Sequence, residues 1–322
     1  MEKPYISFVV TARNDDYGGN WQNRINAFMK VLAYQAERVR LPIELVFCED
    51  NPVPNKPLMA EVLVVPKNEF FQTRFIIVPN EFHRALPDSN KVPVCEFIGK
   101  NIAARRSNGE YICGTNPDVL YSDELFDFFA LRKLDPNHFY RVNRSDTSIS
   151  KFADNTDVRD MLVNAKKSVT KIMYNDHSEY VSWKLWLSDF IHGRTLKLLI
   201  QCPLFNSLCG HDTENIHENA AGDFLLTHRD NWNIVGGYDE RTVGSGVLDG
   251  YMMYTLFCKN LNQMIVPFEL YHMYHHHGGV KYLASYEQFR KDAKTMLETK
   301  QSYKQTNIHW GFPLGSFREI IR

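Results

Sequence analysis

The sequence predicts an open α/β sheet, because short apolar segments alternate with amphipathic helical segments between residues 5 and 135. A second observation agrees with this fold: clusters of polar residues follow directly after several of the predicted strands. In open α/β sheets, ligands bind beyond the carboxyl ends of the strands. The predicted fold therefore places a binding site where these polar loops converge.

The first strand, helix and second strand are predicted from simple patterns. Tyr5–Val10 is short, apolar and rich in β-branched and aromatic residues, as buried strands are. A polar loop, Thr11–Gly19, separates it from a helix whose apolar residues recur every three or four positions. These residues are Trp21, Ile25, Phe28, Leu32, Ala36 and Val39. Pro42 ends the helix before a second strand, Ile43–Cys48, and this order predicts a parallel pair of strands.

The same alternation continues further along the chain. Phe75–Val78 is predicted to be a third strand, Glu96–Ser107 a helix and Glu110–Thr115 the next strand. Ser122 is a suitable N-cap for another helix. Beyond it the pattern predicts helices around Val158–Val169 and Ser182–Ile191, and then a second mixed unit.

Composition excludes several classes of protein. The 322 residues carry 37 Lys and Arg against 38 Asp and Glu, a net charge of −1, which disfavours nucleic acid as a partner. No apolar run approaches the roughly 20 residues that span a bilayer. Six cysteines without CxxC spacing argue against a zinc ribbon and a disulfide scaffold. Because the chain leads from Met1 straight into a strand, we expect no signal peptide and a reducing, cytoplasmic environment.

Three polar motifs are candidates for chemistry. Asn116-Pro117-Asp118 follows a predicted strand and offers oxygen ligands that suit Mg²⁺ or Mn²⁺, although these residues also form ordinary turns. The segment 271–279 contains four histidines that can bind a metal or a phosphate, or simply form a solvated loop. They are His272, His275, His276 and His277. Asp249 lies downstream of the turn Gly236-Gly237 and is a candidate general base, with a solvated surface acid as the alternative.

Common nucleotide and hydrolase motifs do not occur in the sequence. The glycine pairs match neither a Walker loop nor the GxGxxG fingerprint, which disfavours an ATPase or a dinucleotide enzyme. A GxSxG nucleophile elbow is missing too, which disfavours a Ser-His-Asp hydrolase.

The order of the motifs resembles that of the GT-A type, family-2-like glycosyltransferases, from about Tyr5 to about Gly279. Four segments carry the resemblance: Phe8–Asp15, Leu45–Pro52, Lys100–Ile112 and Ala221–Glu240. The resemblance implies a GT-A fold with a mixed, mainly parallel central sheet flanked by helices. It also implies a nucleotide-binding half at about 1–135, an acceptor-binding half at about 136–290 and a C-terminal tail at about 291–322.

The resemblance implies a role for particular residues on the donor side. Eight residues in the first half of the chain are expected to bind a UDP- or GDP-type nucleotide sugar. They are Thr11, Ala12, Arg13, Asn14, Glu49, Asn101, Arg105 and Asn116. Asp118 matches the last acid of the family's metal motif, with His272 or His275 completing the shell around Mn²⁺ or Mg²⁺.

On the acceptor side, the resemblance implies that Asp249 deprotonates the hydroxyl of a glycan or another acceptor in a single inverting displacement. Asp223 and Trp232 are expected to contact the acceptor or the sugar, and Asp239 and Asp223 are rival bases.

Two departures from the family pattern leave alternatives open. Asn116 replaces the first acid of the metal motif, which predicts weaker metal binding or metal-independent catalysis, and Leu248 replaces the acid expected before Asp249. A retaining reaction, a non-catalytic glycan- or nucleotide-sugar-binding protein and, less favoured, a sugar-1-phosphate nucleotidyltransferase are the alternative interpretations.

Overall fold

A mixed sheet of eleven strands forms the centre of the protein in a computed structural model, which describes residues 2–175, 177–181, 216–243, 246–276 and 286–322. Nine strands follow the order β11-β3-β2-β1-β4-β9-β6-β10-β5, and β7 and β8 extend the sheet from β6. The strands are β1 Ile6–Ala12, β2 Ile43–Asp50, β3 Phe71–Val78, β4 Tyr111–Thr115, β5 Val119–Tyr121, β6 His138–Thr147, β7 Val169–Met173, β8 Ser178–Tyr180, β9 Phe224–His228, β10 Asn262–His272 and β11 Arg318–Ile321.

Helices flank this sheet in the described part of the chain. They are α1 Trp21–Val39, α2 Met59–Val62, α3 Asn80–Ala85, α4 Glu96–Arg106, α5 Asp123–Ala130, α6 Val158–Lys167, α7 Arg229–Val235, α8 Leu248–Cys258 and α9 Tyr286–Thr299. The predicted helix at Val158–Val169 is therefore present with a slightly earlier end. The helix predicted at Ser182–Ile191 lies outside the described residues.

The parallel part of the sheet is formed by β3, β2, β1 and β4, and the pair β6 and β10 is also parallel. The remaining pairings, such as β4 with β9, are antiparallel. The predicted mixed α/β sheet with flanking helices is thus confirmed. Because β1 and β4 run in the same direction, the loops at Thr11–Arg13 and Asn116–Asp118 leave the sheet at the same edge.

Apolar side chains on both faces of the sheet hold the helices in place. On one face, Ile25, Phe28 and Leu32 of α1 pack with strand residues such as Phe8. On the other, Ile98 and Ile102 of α4 pack with Val9 and its neighbours. Gly99 allows α4 to approach the end of β1, since a Cβ at this position would overlap the side chain of Thr11.

Strand β3 begins four residues earlier than the apolar pattern predicts. Its first half contains Thr73 and Arg74, which are polar but buried. Arg74 is accommodated by ion pairs with Glu44 at 3.2 Å and Glu319 at 2.8 Å. Since both partners are distant in sequence, local hydrophobicity gives no indication of this part of the strand.

The segment at about 291–322, which was expected to be a C-terminal tail, is folded against the rest of the protein. Strand β11 pairs antiparallel with β3, and Trp310 is buried against Trp232. Arg106 donates hydrogen bonds to the carbonyl oxygens of Gly311, Phe312 and Gly315. Buried aromatic and backbone contacts thus fix this segment on the body of the protein. The division of the rest into nucleotide-binding and acceptor-binding halves stays a prediction.

Among the described residues, no helix combines the length and the hydropathy needed to span a bilayer.

Candidate functional site

A cavity of about 510 Å³ lies at the carboxyl edge of the sheet, where β1, β4 and β10 end. The cavity is lined by loops and helix ends that are far apart in sequence. Nine of the residues predicted from the sequence line it: Thr11, Ala12, Arg13, Asn116, Asp118, Asp223, Asp249, His272 and His275. The structure therefore brings together most of the predicted donor, metal and catalytic residues.

Asp118, His272 and His275 form a buried cluster on the wall of the cavity. The Nε2 atom of His275 lies 3.2 Å from Oδ2 of Asp118, and Nε2 of His272 lies 3.8 Å from Oδ1. Oδ1 of Asp118 is buried and accepts no hydrogen bond. An unsatisfied buried carboxylate oxygen facing imidazole nitrogens is the arrangement expected of a divalent metal site.

The sheet register explains how the cluster is assembled. On β10, His272 pairs with Val119 on one side and with Asp146 on the other. The backbone N–H of Met273 donates to the carbonyl of Asp118 at 2.9 Å, which ties the two loops together. The position of His272 beside Asp118 is thus set by the sheet and not by a mobile loop.

The loop after β1 supports His275 from the opposite side. Gly18 adopts a φ of +71°, and a Cβ there would come within 2.8 Å of Nδ1 of His275. The backbone N–H of His276 donates to the carbonyl of Gly18 at 3.2 Å. A side chain at position 18 would therefore displace the histidine from the cluster.

Electrostatic interactions set the protonation states of the three residues of the cluster. Burial opposes ionisation of Asp118, yet the surrounding positive groups hold its pKa well below the usual range. These groups are His272, His275 and the buried Arg24. Burial lowers the pKa of His272, which favours a neutral ring with a lone pair for a metal. Burial also acts against the charged form of His275, but the hydrogen bond and the charge of Asp118 raise the pKa of this ring.

A second layer of side chains orients these ligands. Nδ1 of His272 lies 3.5 Å from Asp146. Arg144 contacts Asp146 at 2.8 Å and Asp223 at 2.6 Å. Such carboxylate partners on the far nitrogen of a ligating histidine fix its orientation. Arg144 therefore connects the metal side of the cavity to Asp223.

Asn116 is held by two partners that also fix the orientation of its amide. Its Nδ2 donates to Oδ1 of Asp223 at 2.7 Å, and its Oδ1 accepts from Nζ of Lys100 at 2.7 Å. Lys100 is fully buried and also donates to Glu96 and to the carbonyl of Gly222. Asn116 thus lines the cavity, but its side-chain amide is hydrogen-bonded to Asp223 and Lys100 and not to the cluster around Asp118.

Asp249 lies in the first turn of α8 and faces the cavity. Its two oxygens accept hydrogen bonds from the backbone N–H groups of Gly222 at 2.8 Å and Gly250 at 2.9 Å. Burial nevertheless raises the pKa of Asp249 to about 6, with a further contribution from Glu96. A carboxylate with a pKa this close to neutrality can take up a proton during a reaction.

The two rival acids differ from Asp249. Burial acts to raise the pKa of Asp223, but Arg144 and His272 together lower it. Asp239 does not line the cavity; it forms an ion pair with Arg241 at 2.8 Å and accepts a hydrogen bond from Tyr303. Despite burial, these bonds hold the pKa of Asp239 at about 2. Asp239 is therefore excluded as a base in this cavity.

Two of the predicted donor-binding residues point elsewhere. Asn101 is fully buried and bonds to both backbone polar groups of Tyr238 and to Glu240. Arg105 bonds to Asn233 at 3.0 Å and lies over the ring of Trp310. Neither residue lines the cavity, because this side of α4 packs against α7 and the C-terminal segment, and their role in donor binding stays a prediction.

Three other predicted residues also lie outside the cavity lining. Asn14 donates to the carbonyl of Pro57 at 3.0 Å. Glu49 accepts from the backbone N–H of Met59 at 2.8 Å, and burial raises its pKa to about 7. Trp232 is in the core beneath Tyr238, so the expected contact of Trp232 with a sugar is not supported. Glu49 is next to Ala12 in the sheet register, and its predicted role in nucleotide binding stays a prediction.

Sequence reasoning missed Lys100, Arg144, Asp146 and Arg24. Arg144 and Asp146 alternate along β6 and so lie on the same face of the sheet, which is a signal that could have been found. Lys100 and Arg24 lie within helices among apolar residues, and nothing local distinguishes them from solvated charges.

No protein-family model matches this chain, and the search of curated proteins also finds no match. The search of solved structures does find similar chains. One is the crystal structure of GalNAc-T7 with UDP, GalNAc and Mn²⁺, at 12% identity and a TM-score of 0.46. This match covers 91% of the present chain and 48% of the other, so the chain spans about half the length of GalNAc-T7.

Two further structures are similar over most of this chain. S. aureus TarS 1–349 has 7% identity, a TM-score of 0.45 and coverage of 95% of this chain and 68% of the other. The catalytic domain of Drosophila β1,4-galactosyltransferase 7, in complex with xylobiose, has 10% identity, a TM-score of 0.36 and coverage of 94% and 82%.

Proposed function

We propose that this protein is a glycosyltransferase that moves a sugar from a nucleotide-diphosphate donor to a hydroxyl acceptor such as a glycan. The observation that carries the proposal is the convergence of three groups on one cavity. These groups are the basic side chain of Arg13, the cluster around Asp118 and the partly buried acid Asp249. Together they provide a cation for phosphate, ligands for a divalent ion and a base for a hydroxyl.

The donor side is formed by the loop after β1. Arg13 lines the cavity and is steadied by Asp15 at 2.7 Å and by the carbonyl of Asn51 at 3.2 Å. Arginine binds phosphate oxygens well because its guanidinium offers several donors in a fixed plane. In this proposal Arg13, with Thr11 and Ala12, contacts the diphosphate of a UDP- or GDP-type donor.

The residues at the metal cluster fit Mn²⁺ or Mg²⁺. The buried, unpaired Oδ1 of Asp118 and the nitrogens of His272 and His275 are the donors that would hold the ion. Mixed carboxylate and imidazole ligation favours Mn²⁺ over Mg²⁺, which prefers oxygen alone. A bound divalent ion would neutralise the charge that develops on the diphosphate leaving group.

Asp249 is the base in this proposal. Oδ1 and Oδ2 are oriented by the N–H groups of Gly250 and Gly222, and the carboxyl group is largely ionised at neutral pH because its pKa is about 6. The acceptor oxygen would attack the anomeric carbon while the bond to the diphosphate oxygen breaks. The hydroxyl proton passes to Asp249, and the configuration is inverted. Asp223 is a weaker base because Arg144 holds its pKa low.

One observation favours a second candidate, a binding protein that holds a nucleotide sugar without transferring it. Asn116 stands where the resembling family has an acid, and it is fully engaged by Lys100 and Asp223. A binding protein and an enzyme differ in one measurable respect, because only the enzyme releases free nucleotide when donor and acceptor are present.

The test is a turnover assay with UDP-, GDP- and dTDP-sugars, Mn²⁺ and a panel of hydroxyl acceptors, in which nucleotide release is followed. We expect one donor to be consumed. The variant Asp249→Asn should bind this donor normally but release nucleotide at least 100-fold more slowly, in line with the roughly 10²- to 10⁴-fold contribution of a general base. Asp230→Asn, at an exposed acid in the first turn of α7, is the matched control. Donor binding without release supports the binding protein, and neither binding nor release contradicts both proposals.

A further inference from the structure

A second buried group of potential metal ligands lies outside the lining of the cavity. It consists of Asp50 at the end of β2, His83 in α3 and Cys95 directly before α4. All three residues are buried. Three elements that are separate in sequence thus place a carboxylate, an imidazole and a thiol together in the interior.

The distances within this group are short. Nδ1 of His83 lies 2.9 Å from Oδ2 of Asp50 and 3.6 Å from Sγ of Cys95. The backbone N–H of Cys95 also donates to Oδ2 of Asp50 at 2.7 Å. Atoms that bind one ion at about 2.0 to 2.3 Å lie roughly 3 to 4 Å apart, so this spacing can accommodate an ion with small side-chain shifts.

The same nitrogen of His83 faces both the carboxylate and the thiol. A single N–H at Nδ1 can serve only one of the two, and the thiol of Cys95 also makes a hydrogen bond to the carboxylate of Asp50. A cation at this point would bind all three atoms at once. The other nitrogen, Nε2, lies 3.2 Å from the carbonyl oxygen of Ser89. Histidines that bind a metal through one ring nitrogen usually donate a hydrogen bond from the other nitrogen to a carbonyl or a carboxylate.

We propose that Asp50, His83 and Cys95 bind a structural zinc ion. Mixed sulfur, nitrogen and oxygen ligation is characteristic of zinc and unsuited to Mg²⁺ or Ca²⁺. A thiolate and a carboxylate carry two negative charges, so a divalent ion leaves the buried site neutral, as a low-dielectric interior requires. A water molecule or the second oxygen of Asp50 supplies the fourth donor.

The zinc ion would fix one wall of the cavity. Val92, Pro93 and Val94 line the cavity and lie between His83 and Cys95 along the chain. Asn51, next to Asp50, also donates to the carbonyl of Pro93 at 3.0 Å. Binding of zinc therefore stabilises the segment between β3 and α4. This inference does not depend on the proposed glycosyltransferase activity.

Cobalt titration of the full-length protein tests the proposal, after existing metal has been removed with a chelator. A cobalt–thiolate bond gives a charge-transfer absorption in the near ultraviolet, which the cluster of Asp118, His272 and His275 cannot produce because it contains no sulfur. We expect this band to reach the intensity of one cobalt–thiolate bond per chain, whatever Co²⁺ the other cluster takes up, and to disappear when Zn²⁺ is added. Zn²⁺ should also raise the melting temperature of the metal-free protein.

Matched variants assign the band to this site. Cys95→Ser and His83→Ala should lose it, whereas Cys258→Ser, at another buried free cysteine, should keep it. Circular dichroism checks the fold of each variant. If Cys95→Ser does not fold, the double variant Cys202→Ser and Cys209→Ser is measured in its place. Because this variant keeps Cys95, it should retain the full band, and loss of the band would overturn the proposal. A folded wild-type protein without the band, or a band that survives in folded Cys95→Ser, overturns the proposal.

Discussion

Asn116 donates a hydrogen bond to the carboxylate of Asp223 over 2.7 Å, and this contact connects the two sides of the cavity. On one side of the pair, Lys100 donates to the amide oxygen of Asn116. On the other, Arg144 joins Asp223 to Asp146, which faces His272. An amide can serve both neighbours at once because it is both a donor and an acceptor. The residue that departs from the family's metal motif is therefore a connecting element of this site.

The first prediction concerns this departure. Asn116→Asp replaces the amide donor by a carboxylate next to Asp223, and two close carboxylates resist joint ionisation. We expect the protein to lose about 1–3 kcal/mol of unfolding free energy at pH 7, the usual cost of an unsatisfied buried group, without any gain in Mn²⁺ affinity. Calorimetric titration and denaturant unfolding measure both quantities, with Asn155→Asp at an exposed turn as control. Tighter Mn²⁺ binding would show that position 116 is a metal ligand after all.

A second prediction concerns Asp118. Asp118→Asn removes the carboxylate charge between His272 and His275 and should weaken Mn²⁺ binding at least tenfold, since the remaining neutral donors hold the ion poorly. Turnover of the donor should fall in parallel. The control is Asp154→Asn, an exposed residue whose change should leave both measurements unaltered. Equal Mn²⁺ affinity in Asp118→Asn and the wild-type protein would remove Asp118 from the metal site.

The third prediction concerns the pH dependence of the reaction. Since the pKa of Asp249 is about 6, the value of kcat/KM should rise with pH and level off above about pH 7. This limb of the profile reports the ionisation of the base in the free enzyme. A profile without any rise between pH 5 and 7, measured at saturating metal, would contradict the assignment of Asp249.

The fourth prediction also concerns Asp249, and it is about the pH dependence of stability. Its pKa is raised from 3.8 to about 6 in the folded protein, so the folded state holds the proton more tightly. The stability that the protonated group contributes is present below about pH 4 and is lost as the pH rises to 6, by about 3 kcal/mol for a shift of about two units. The difference in unfolding free energy between wild type and Asp249→Asn should change by this amount across that window. A difference that does not vary with pH would show that the carboxyl group is solvated.

The fifth prediction concerns Arg144, which forms ion pairs with both Asp223 and Asp146. Arg144→Met leaves Asp223 and Asp146 without their shared partner and should cost about 3–5 kcal/mol, as the loss of one partner in a buried ion pair does. The ring of His272 should also be less well oriented, and Mn²⁺ affinity should fall. Arg159→Met, at an exposed arginine of α6, is the control. A variant with wild-type stability and metal affinity would show that the connection is incidental.

Local patterns in the sequence were sufficient to predict the main strands and helices of the first half of the fold, but not the short elements α2, α3 and β5. The strands, the crossover helix and the loops at Thr11 and Asp118 depend on hydrophobic periodicity and turn residues, which are properties of neighbouring positions. These elements place most of the predicted site residues at one edge of the sheet. The convergence of Arg13 and Asp118 could therefore be anticipated, whereas Glu49, which was expected beside them, lies outside the cavity lining, and the place of Asp249 was implied only by the family resemblance.

The features that the sequence did not predict depend on long-range contacts. The spacing of Asn101 and Arg105 shows that they share one side of a helix, but only tertiary packing shows that this side faces α7 and Trp310. In the same way, β11 is a short edge strand whose partner, β3, lies some 240 residues earlier. Lys100 was missed because two of its three acceptors, Asn116 and the carbonyl of Gly222, come from other segments of the chain.

The most direct test of the central claim is a crystal structure of the protein with a UDP or GDP nucleotide and Mn²⁺, in which the manganese is located by anomalous scattering. We predict a manganese peak between Asp118, His272 and His275, with the diphosphate next to it on the side of Arg13 and Asp249 across the cavity. A nucleotide bound elsewhere, or a manganese peak away from Asp118, would contradict the account.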